Sequence, residues 1–274
     1  MEEFVRQPQN RNGEDFRVAL SGAQLIGHAV SYLRDQGRER ARFCDLVVAP
    51  AFRRQGVGSA LMGSLLKIDQ HDDKLSFQVV AAHDWIAGIA FLTTLGFSYV
   101  ESDLDMRCAQ LVPPSDTLTH PISLDRVAEP ASVAGDVARI HNAAYHSDGG
   151  SRVFTPDEMA INISGDDLWI ARESDQIIAF CRISLGPKLA WIKSLAVHPD
   201  HHGRGIGKAL TYRALQSDGV GKDRPAGLIV SSTNSSAMAV YAKLGFTLRR
   251  EHRRFSALRK DLVVAMEGRQ RHSS

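Results

Sequence analysis

Residues Leu195-Ala196-Val197-His198-Pro199-Asp200-His201-His202-Gly203-Arg204-Gly205-Ile206-Gly207-Lys208-Ala209-Leu210 decide how this chain folds. They read as an apolar strand, a proline that cannot continue a ladder, a glycine-rich turn and the start of a helix. Such a turn presents free backbone N–H groups at the positive end of a helix, a ready anion site and most often a phosphate site. Gly205 and Gly207 let the backbone approach a ligand closely. Two better-known phosphate loops do not fit. A Walker loop ending at Gly207-Lys208 needs glycine at 202 and Ser or Thr at 209, where His202 and Ala209 stand. A dinucleotide fingerprint from Gly205 needs Gly or Ala at 210, which is Leu210.

The same series occurs 149 positions earlier as Leu46-Val47-Val48-Ala49-Pro50-Ala51-Phe52-Arg53-Arg54-Gln55-Gly56-Val57-Gly58-Ser59-Ala60-Leu61. Leu95-Gly96-Phe97 precedes Leu244-Gly245-Phe246 by the same 149. Two motifs sharing one offset make the chain two copies of one domain. In the second copy, residues 168–173, 177–184 and 189–197 read as strands. A helix with Ile206, Leu210 and Ala214 on one face follows, then a short strand at 228–231. A helix over 234–244 ends at Gly245, and strand pattern resumes from Phe246. The first copy runs likewise through strands 16–20, 24–32 and 43–48, a helix with Val57, Leu61 and Leu65, a strand at 77–81 and a helix ending at Gly96. The second copy has extra front helices. One carries Val133, Val137, Ile140 and Ala144 on one face. The other opens at Thr155-Pro156-Asp157-Glu158, a capping box with proline at the first helical position. The first copy has only residues 1–15 there, so it is truncated. Pro113-Pro114 marks the join, giving domains 1–114 and 119–274.

Composition bounds the function. Of 274 residues, 43% are hydrophobic and 23% charged, ordinary globular usage. Lys plus Arg is 33 against 31 Asp plus Glu, a net charge of +2, which makes no electrostatic case for nucleic acid or an anionic membrane. No apolar run is long enough for a membrane span, and the N-terminus lacks the pattern of a signal peptide, so a cytoplasmic protein is expected. Cys44, Cys108 and Cys181 are odd in number and far apart, and read as small buried hydrophobes. His198, His201 and His202 lack a fourth ligand at suitable spacing, so no metal is expected.

The full pattern resembles the GNAT superfamily of N-acetyltransferases. It comprises a valine, a proline two residues on, the paired glycines, and an Asn234-x-x-Ala237 helix ending Tyr241-Ala242-Lys243-Leu244-Gly245-Phe246. The resemblance implies an α/β (α+β) fold: two tandem domains, each a mixed, mostly antiparallel sheet flanked by helices, the first truncated. It implies acetyl-CoA in a cleft between the fourth and fifth strands of a domain, with direct transfer of acetyl to an amine. The pantetheine falls on Leu195, Ala196 and Val197, and the pyrophosphate on His202, Gly203, Arg204, Gly205, Ile206, Gly207 and Lys208, with Asn234 nearby. In the first copy the matching residues are Val48, Arg53, Arg54, Gln55, Gly56, Val57 and Gly58. His202 stands where the family usually has Gln or Arg. The two-copy layout resembles that of the mycothiol synthases, in architecture only.

The same resemblance makes Tyr241 the acid that protonates the leaving thiolate. A phenol of pKa about 10 holds its proton at neutral pH and can supply it to a thiolate of pKa about 8.5. In the first copy the counterparts of Tyr241 and Asn234 are Leu92 and Trp85, so that copy is expected to be non-catalytic. A base for the amine is harder to place, because strand 189–195 carries no carboxylate. His146 and Asp148, between the front helices, are candidates for the acceptor side. Glu251, His252 and a water chain are alternatives. The basic run Arg249-Arg250-Glu251-His252-Arg253-Arg254 reads as an exposed strand and turn. The expected function is acetyl transfer to a primary amine of a small molecule or peptide in the second copy. The rival is a non-catalytic CoA-binding regulator or scaffold.

Overall fold

The computed structural model describes residues 15–271 apart from 37–38, 116–117, 119–120, 146–152 and 222. Two compact units divide the chain elsewhere than the repeat does: Met1–Ser102 with His252–Ser274, and Asp103–Glu251.

In the first unit, β1 (Phe16–Ser21), β2 (Gln24–Gln36) and β3 (Glu39–Val48) form an antiparallel meander, and β4 (Ser76–Ala82) pairs parallel to β3. Residues 252–258 of β11 (Thr247–Leu258) then pair antiparallel with β4. One sheet face packs under α1 (Val57–Leu66), α2 (Ile86–Thr94) and α7 (Arg259–Arg271), with Leu61, Met62, Leu65, Phe77, Leu92, Leu95, Phe255 and Leu262 in its core. Val18, Val47 and Val80 alternate to the other face and are exposed among the described residues. Arg42, fully buried, is held between Asp15 (2.9 Å) and Asp69 (2.6 Å).

The second unit has the order β6 (Ile122–Arg126), β7 (Asp167–Glu173), β8 (Gln176–Leu185), β9 (Ala190–Val197), β10 (Ala226–Ser231), closed by residues 103–108 of β5 (Ser98–Cys108). Only β9 and β10 run parallel. β8 is buried along nearly its whole length, which explains its unbroken apolar run: helices cover both faces. α5 (Ile206–Ser217) and α6 (Ser235–Lys243) lie on one side around Ile206, Leu210, Ala214 and Tyr241. α3 (Ala134–Tyr145) and α4 (Pro156–Ile163) cover the other through Val137, Ile140, Met159 and Ile163. The capping box at Thr155 and Glu158 is formed in both directions. Each unit thus receives its last strand from the segment that follows the Leu-Gly-Phe motif of the other repeat. Among the described residues no helix is long and apolar enough to cross a membrane. The three cysteines are free and buried, and burial pushes the Cys181 thiol up to about 12.

At the C-terminal end of α5, Asp218 is buried and hydrogen-bonded to Asp167, which also pairs with Arg126 and accepts from Trp169 Nε1 at 3.0 Å. Burial, then the Asp167 contact, pushes the Asp218 carboxyl from 3.8 to about 6. A raised carboxyl binds its proton more tightly in the folded state, so its contribution to stability is complete below pH 3.8 and lost as pH rises to about 6. Asp218→Asn keeps a donor for Asp167 without the charge. Its melting temperature relative to the parent should therefore climb between pH 4 and pH 7, and a difference that stays flat across that range contradicts the assignment.

Candidate active site

A cleft opens in the second sheet because its two parallel strands separate. β9 and β10 pair only at Ala190↔Ala226 and Trp191↔Gly227. Beyond that point β9 stays paired to β8 as far as Val197, and β10 to β5 as far as Ser231, so their facing edges diverge. A bulge accompanies the parting. The β8–β9 register jumps at Ile192–Ser194, leaving Lys193 as a bulged residue that bends and twists the strand. At the root of the cleft the Trp191 ring takes the Arg107 guanidinium at 4.9 Å, and a Cβ on Gly227 would stand 2.9 Å from that ring.

The turn after β9 points its backbone at open space. Gly205 caps α5 in the left-handed region with φ 75° and supplies no side-chain cap. A Cβ placed there meets nothing within 4 Å, so space is open beside a first turn whose leading N–H groups no side chain caps. This is a fit for an anionic group, and a pyrophosphate is the group the sequence implies. Gly207 instead rests on Val197 and Leu195, 3.4 and 3.7 Å from its would-be Cβ. Ile206 is core, and Ala196 faces α3 and α4. His202 Nε2 donates to Val197 O at 2.8 Å. In the first copy Arg53 Nε donates to Val48 O at 3.1 Å, the same tie at the same repeat position. The histidine therefore anchors the turn in place of a longer cation.

The flanking cations are less free than their sequence positions suggest. Arg204 grips both Glu173 oxygens, at 2.6 and 3.1 Å, and meets His201 Nδ1 at 2.7 Å. Lys208 is buried on α5 rather than solvated. His198 Nδ1 accepts the Asp200 N–H at 3.4 Å, so the three histidines of this turn each have a hydrogen-bonding task. Asn234 is the cap of α6: its Oδ1 accepts the Ala237 N–H at 3.0 Å.

Tyr241, only 7% exposed, packs its ring 5.6 Å from Phe246. Burial drives its pKa far above the usual phenol value, with Cys181 and Tyr145 adding to the shift, so the hydroxyl stays protonated. Tyr145, absent from the sequence reading, is near this phenol, and its own hydroxyl donates to Leu195 O of β9 at 2.9 Å. The signal for it was a polar-tipped residue beside Ala144 on the apolar stripe of α3. His146 and Asp148 lie outside the described residues. Glu251 and His252 sit on β11, where His252 is opposite Ala82 in the first unit's sheet. The basic run there is a strand, with Arg254 paired to Glu101 at 2.8 Å and Arg249 to Asp105 at 3.6 Å.

The first copy keeps the turn and loses the rest. Gly56 has φ 82°, and Arg54 adopts the left-handed conformation that Gly203 has in the second copy. Leu92 is core, where Tyr241 stands in the repeat. Trp85 gives α2 no side-chain cap and lies over Gly88, where an added Cβ would come 2.2 Å from the ring. The Phe91 ring covers Gly58, 3.1 Å from its would-be Cβ.

Residues 164–248 match the model of the acetyltransferase (GNAT) domain, and residues 1–97 that of the acetyltransferase (GNAT) family. The chain is 27% identical to a mycothiol acetyltransferase of Mycolicibacterium vanbaalenii over 267 residues, 92% of this chain and 82% of that one. It is 29% identical to the mycothiol acetyltransferase of Actinosynnema mirum, over 89% and 84% of the two chains. Among solved structures, a GCN5-related N-acetyltransferase from Sphaerobacter thermophilus superposes with a TM-score of 0.74 at 17% identity, covering 94% of this chain and 85% of that one. A tandem GNAT protein from the clavulanic acid biosynthesis pathway gives 0.66 at 16%, over 89% and 84%.

The open helix start predicts where a ligand stabilises the protein. Acetyl-CoA at about 100 times its dissociation constant should add roughly 2.7 kcal/mol to unfolding. Gly205→Val forces a branched residue into a left-handed conformation that costs about 1–2 kcal/mol and crowds the N–H groups. Most of the acetyl-CoA-induced rise in melting temperature should vanish in that variant, and an undiminished rise would contradict the assignment of the turn.

Proposed function

The chain belongs to the GNAT acetyltransferases as a tandem protein and is an acetyl-CoA-dependent N-acetyltransferase, and from that premise we propose that the second copy carries the reaction, with Tyr241 as its acid and a small-molecule primary amine as its acceptor. The observation that carries this reading is the contrast at one repeat position. A buried, proton-holding phenol stands beside the divergent strands of the second copy, and a core leucine takes its place in the first. Leucine has no proton to give.

Acetyl-CoA supplies the acetyl group as a thioester, whose carbonyl carbon the amine attacks. The chain's own residues then have separable tasks. The N–H groups at the start of α5 bind the pyrophosphate, assisted by the helix dipole. The edge of β9 at Leu195–Val197, where the two end carbonyls already accept from Tyr145 and His202, offers its remaining backbone groups to an amide-bearing chain laid along it. His202 holds the turn to the end of β9. Tyr241 gives its proton to the departing sulfur, since the buried phenol is ionised at no working pH. The curated relatives are named for mycothiol, which supports a small-molecule amine over a peptide. Mass analysis of products from a panel of amines, small aminothiols included, tests that choice.

Tyr241→Phe keeps the ring and removes the proton. A positioned acid contributes about 10²–10⁴-fold. The loss should appear in the single-turnover rate, with acetyl-CoA affinity little changed. Because burial holds the phenol above its normal range, the ratio of wild-type to variant rate should stay constant from about pH 7 to pH 9.5, below the ordinary tyrosine value of about 10. A variant within twofold of wild type, or a ratio that closes toward one at the alkaline end, contradicts the role.

A further inference from the structure

Attack on a thioester needs an unprotonated amine, and a primary amine at neutral pH is mostly ammonium. β9, the strand along which the acetyl group must lie, carries no carboxylate between Ala190 and Val197. The proton therefore needs another acceptor. Two buried polar side-chain atoms of the second unit without a hydrogen-bond partner lie on one side of this strand: His141 Nδ1 on α3 and Ser194 Oγ on β9. Buried polar atoms are nearly always paired, so each such orphan calls for an explanation.

Strand alternation puts both on the same face. Ala196 packs into the core under α3 and α4 together with Ile140, while Leu195 and Val197 pack against the α5 and α6 core. Ser194, two residues from Ala196, shares the α3 side. Its cross-strand partner is Arg182 of β8, and the charge of Arg182 acts on the His141 ring. One helical turn after His141, Tyr145 reaches Leu195 O of β9 at 2.9 Å, and the two rings lie 4.7 Å apart. Phe154 closes the far side of the imidazole edge-on at 5.0 Å. Tyr241 belongs to the opposite core, with α5 and α6.

We propose that His141 is a catalytic residue of the second copy, its Nδ1 taking the proton of the acceptor amine on the α3 face of β9 while Ser194 orients the incoming nitrogen. This rests on the acetyltransfer reading above. The step balances. The ammonium gives one proton to His141 Nδ1, and the free nitrogen attacks the carbonyl carbon. The carbon–sulfur bond breaks, and the sulfur takes the Tyr241 proton. The second nitrogen proton restores the phenol, and His141 returns its proton to solvent. Base and acid thus belong to the cores on opposite sides of one divergent strand: the nitrogen adds to the carbonyl carbon, and the sulfur leaves from the tetrahedral intermediate.

The surroundings agree with a base. Burial lowers the imidazole below its ordinary 6.5, Arg182 adds to the effect and Asn142 opposes it, so the ring is neutral at pH 7. The charged groups near it are Arg182 and that residue's partner Asp166, whose other oxygen takes Lys193 of β9 at 2.7 Å. Tyr145 is the titratable neighbour on α3, and α4 contributes the Asn162 carbonyl that also holds Arg182.

The test uses the full chain, acetyl-CoA, and glycine methyl ester as the probe amine. His141→Gln should lower the single-turnover rate about 10²-fold or more, with the acetyl-CoA-induced melting shift intact. Free imidazole should restore part of the rate to His141→Ala. Independently of turnover, the His141 ring resonance, identified by its loss in His141→Gln, should titrate below pH 6.5. A His141→Gln rate within threefold of wild type overturns the proposal. So does an imidazolium that persists at pH 7, or an unrescued His141→Ala that has also lost the acetyl-CoA shift. A wild-type chain that binds acetyl-CoA yet acetylates neither this ester nor any amine of the panel overturns the acetyltransfer reading itself, and the role of His141 with it.

Discussion

The separation of β9 from β10 after two paired residues is the constraint on which the second unit is built. Inside a sheet, backbone N–H and C=O groups satisfy one another, and groups left without a partner away from water cost about 1–3 kcal/mol each. A sheet that parts in its middle is tolerable only if something else meets those groups. The bulge at Lys193 bends β9 just past its last pairing with β10, and Gly227 leaves room for the Trp191 ring at that last pair. The parted edge of β9 runs on to the uncapped start of α5, and Tyr241 is packed in the core that β9 and β10 share with α5 and α6. An extended ligand with an anionic end and amide groups along its length satisfies what the sheet leaves open.

The two repeats show which parts of this arrangement are scaffold and which are chemistry. Both copies keep the glycine turn, and both tie it to the preceding strand with a side-chain donor, Arg53 in one and His202 in the other. At the helix after the fifth strand of the fold they part. Asn234 caps its helix, whereas Trp85 cannot, and its ring needs Gly88 beneath it. Phe91 covers the glycine that Gly207 leaves beside aliphatic side chains. A groove filled by the chain's own aromatic rings favours packing over ligand. The first unit also has a sheet face on which Val18, Val47 and Val80 are exposed, where the second unit has α3 and α4.

Much of this was legible in the sequence because it is local. Glycine spacing, strand-ending prolines, the capping box at Thr155 and the apolar stripe of α3 each follow from short-range rules, and the 149-residue offset joins them into two copies. What was hidden depends on distant partners. The strand after each Leu-Gly-Phe motif has a pattern that suits either sheet, so nothing in its own residues says that it pairs in the unit of the other repeat. Arg204 resembles a ligand cation until Glu173, 31 residues away, is seen to hold it. Lys208 likewise reads as a cation for the pyrophosphate but is buried. His141 lies next to Ile140 of the apolar stripe and looks like packing until its ring nitrogen is found without a partner. The height of the Tyr241 pKa is likewise a property of burial, which residue type alone does not give.

The central claim is that the parted strands and the open helix start of the second copy hold acetyl-CoA. Amide hydrogen exchange of the full chain, with and without saturating acetyl-CoA, addresses it residue by residue. The account predicts that acetyl-CoA slows exchange in residues 192–197 and 205–208, where backbone donors border the cleft and the turn. Unchanged exchange across residues 192–208, under conditions where acetyl-CoA is shown to be bound, would contradict it.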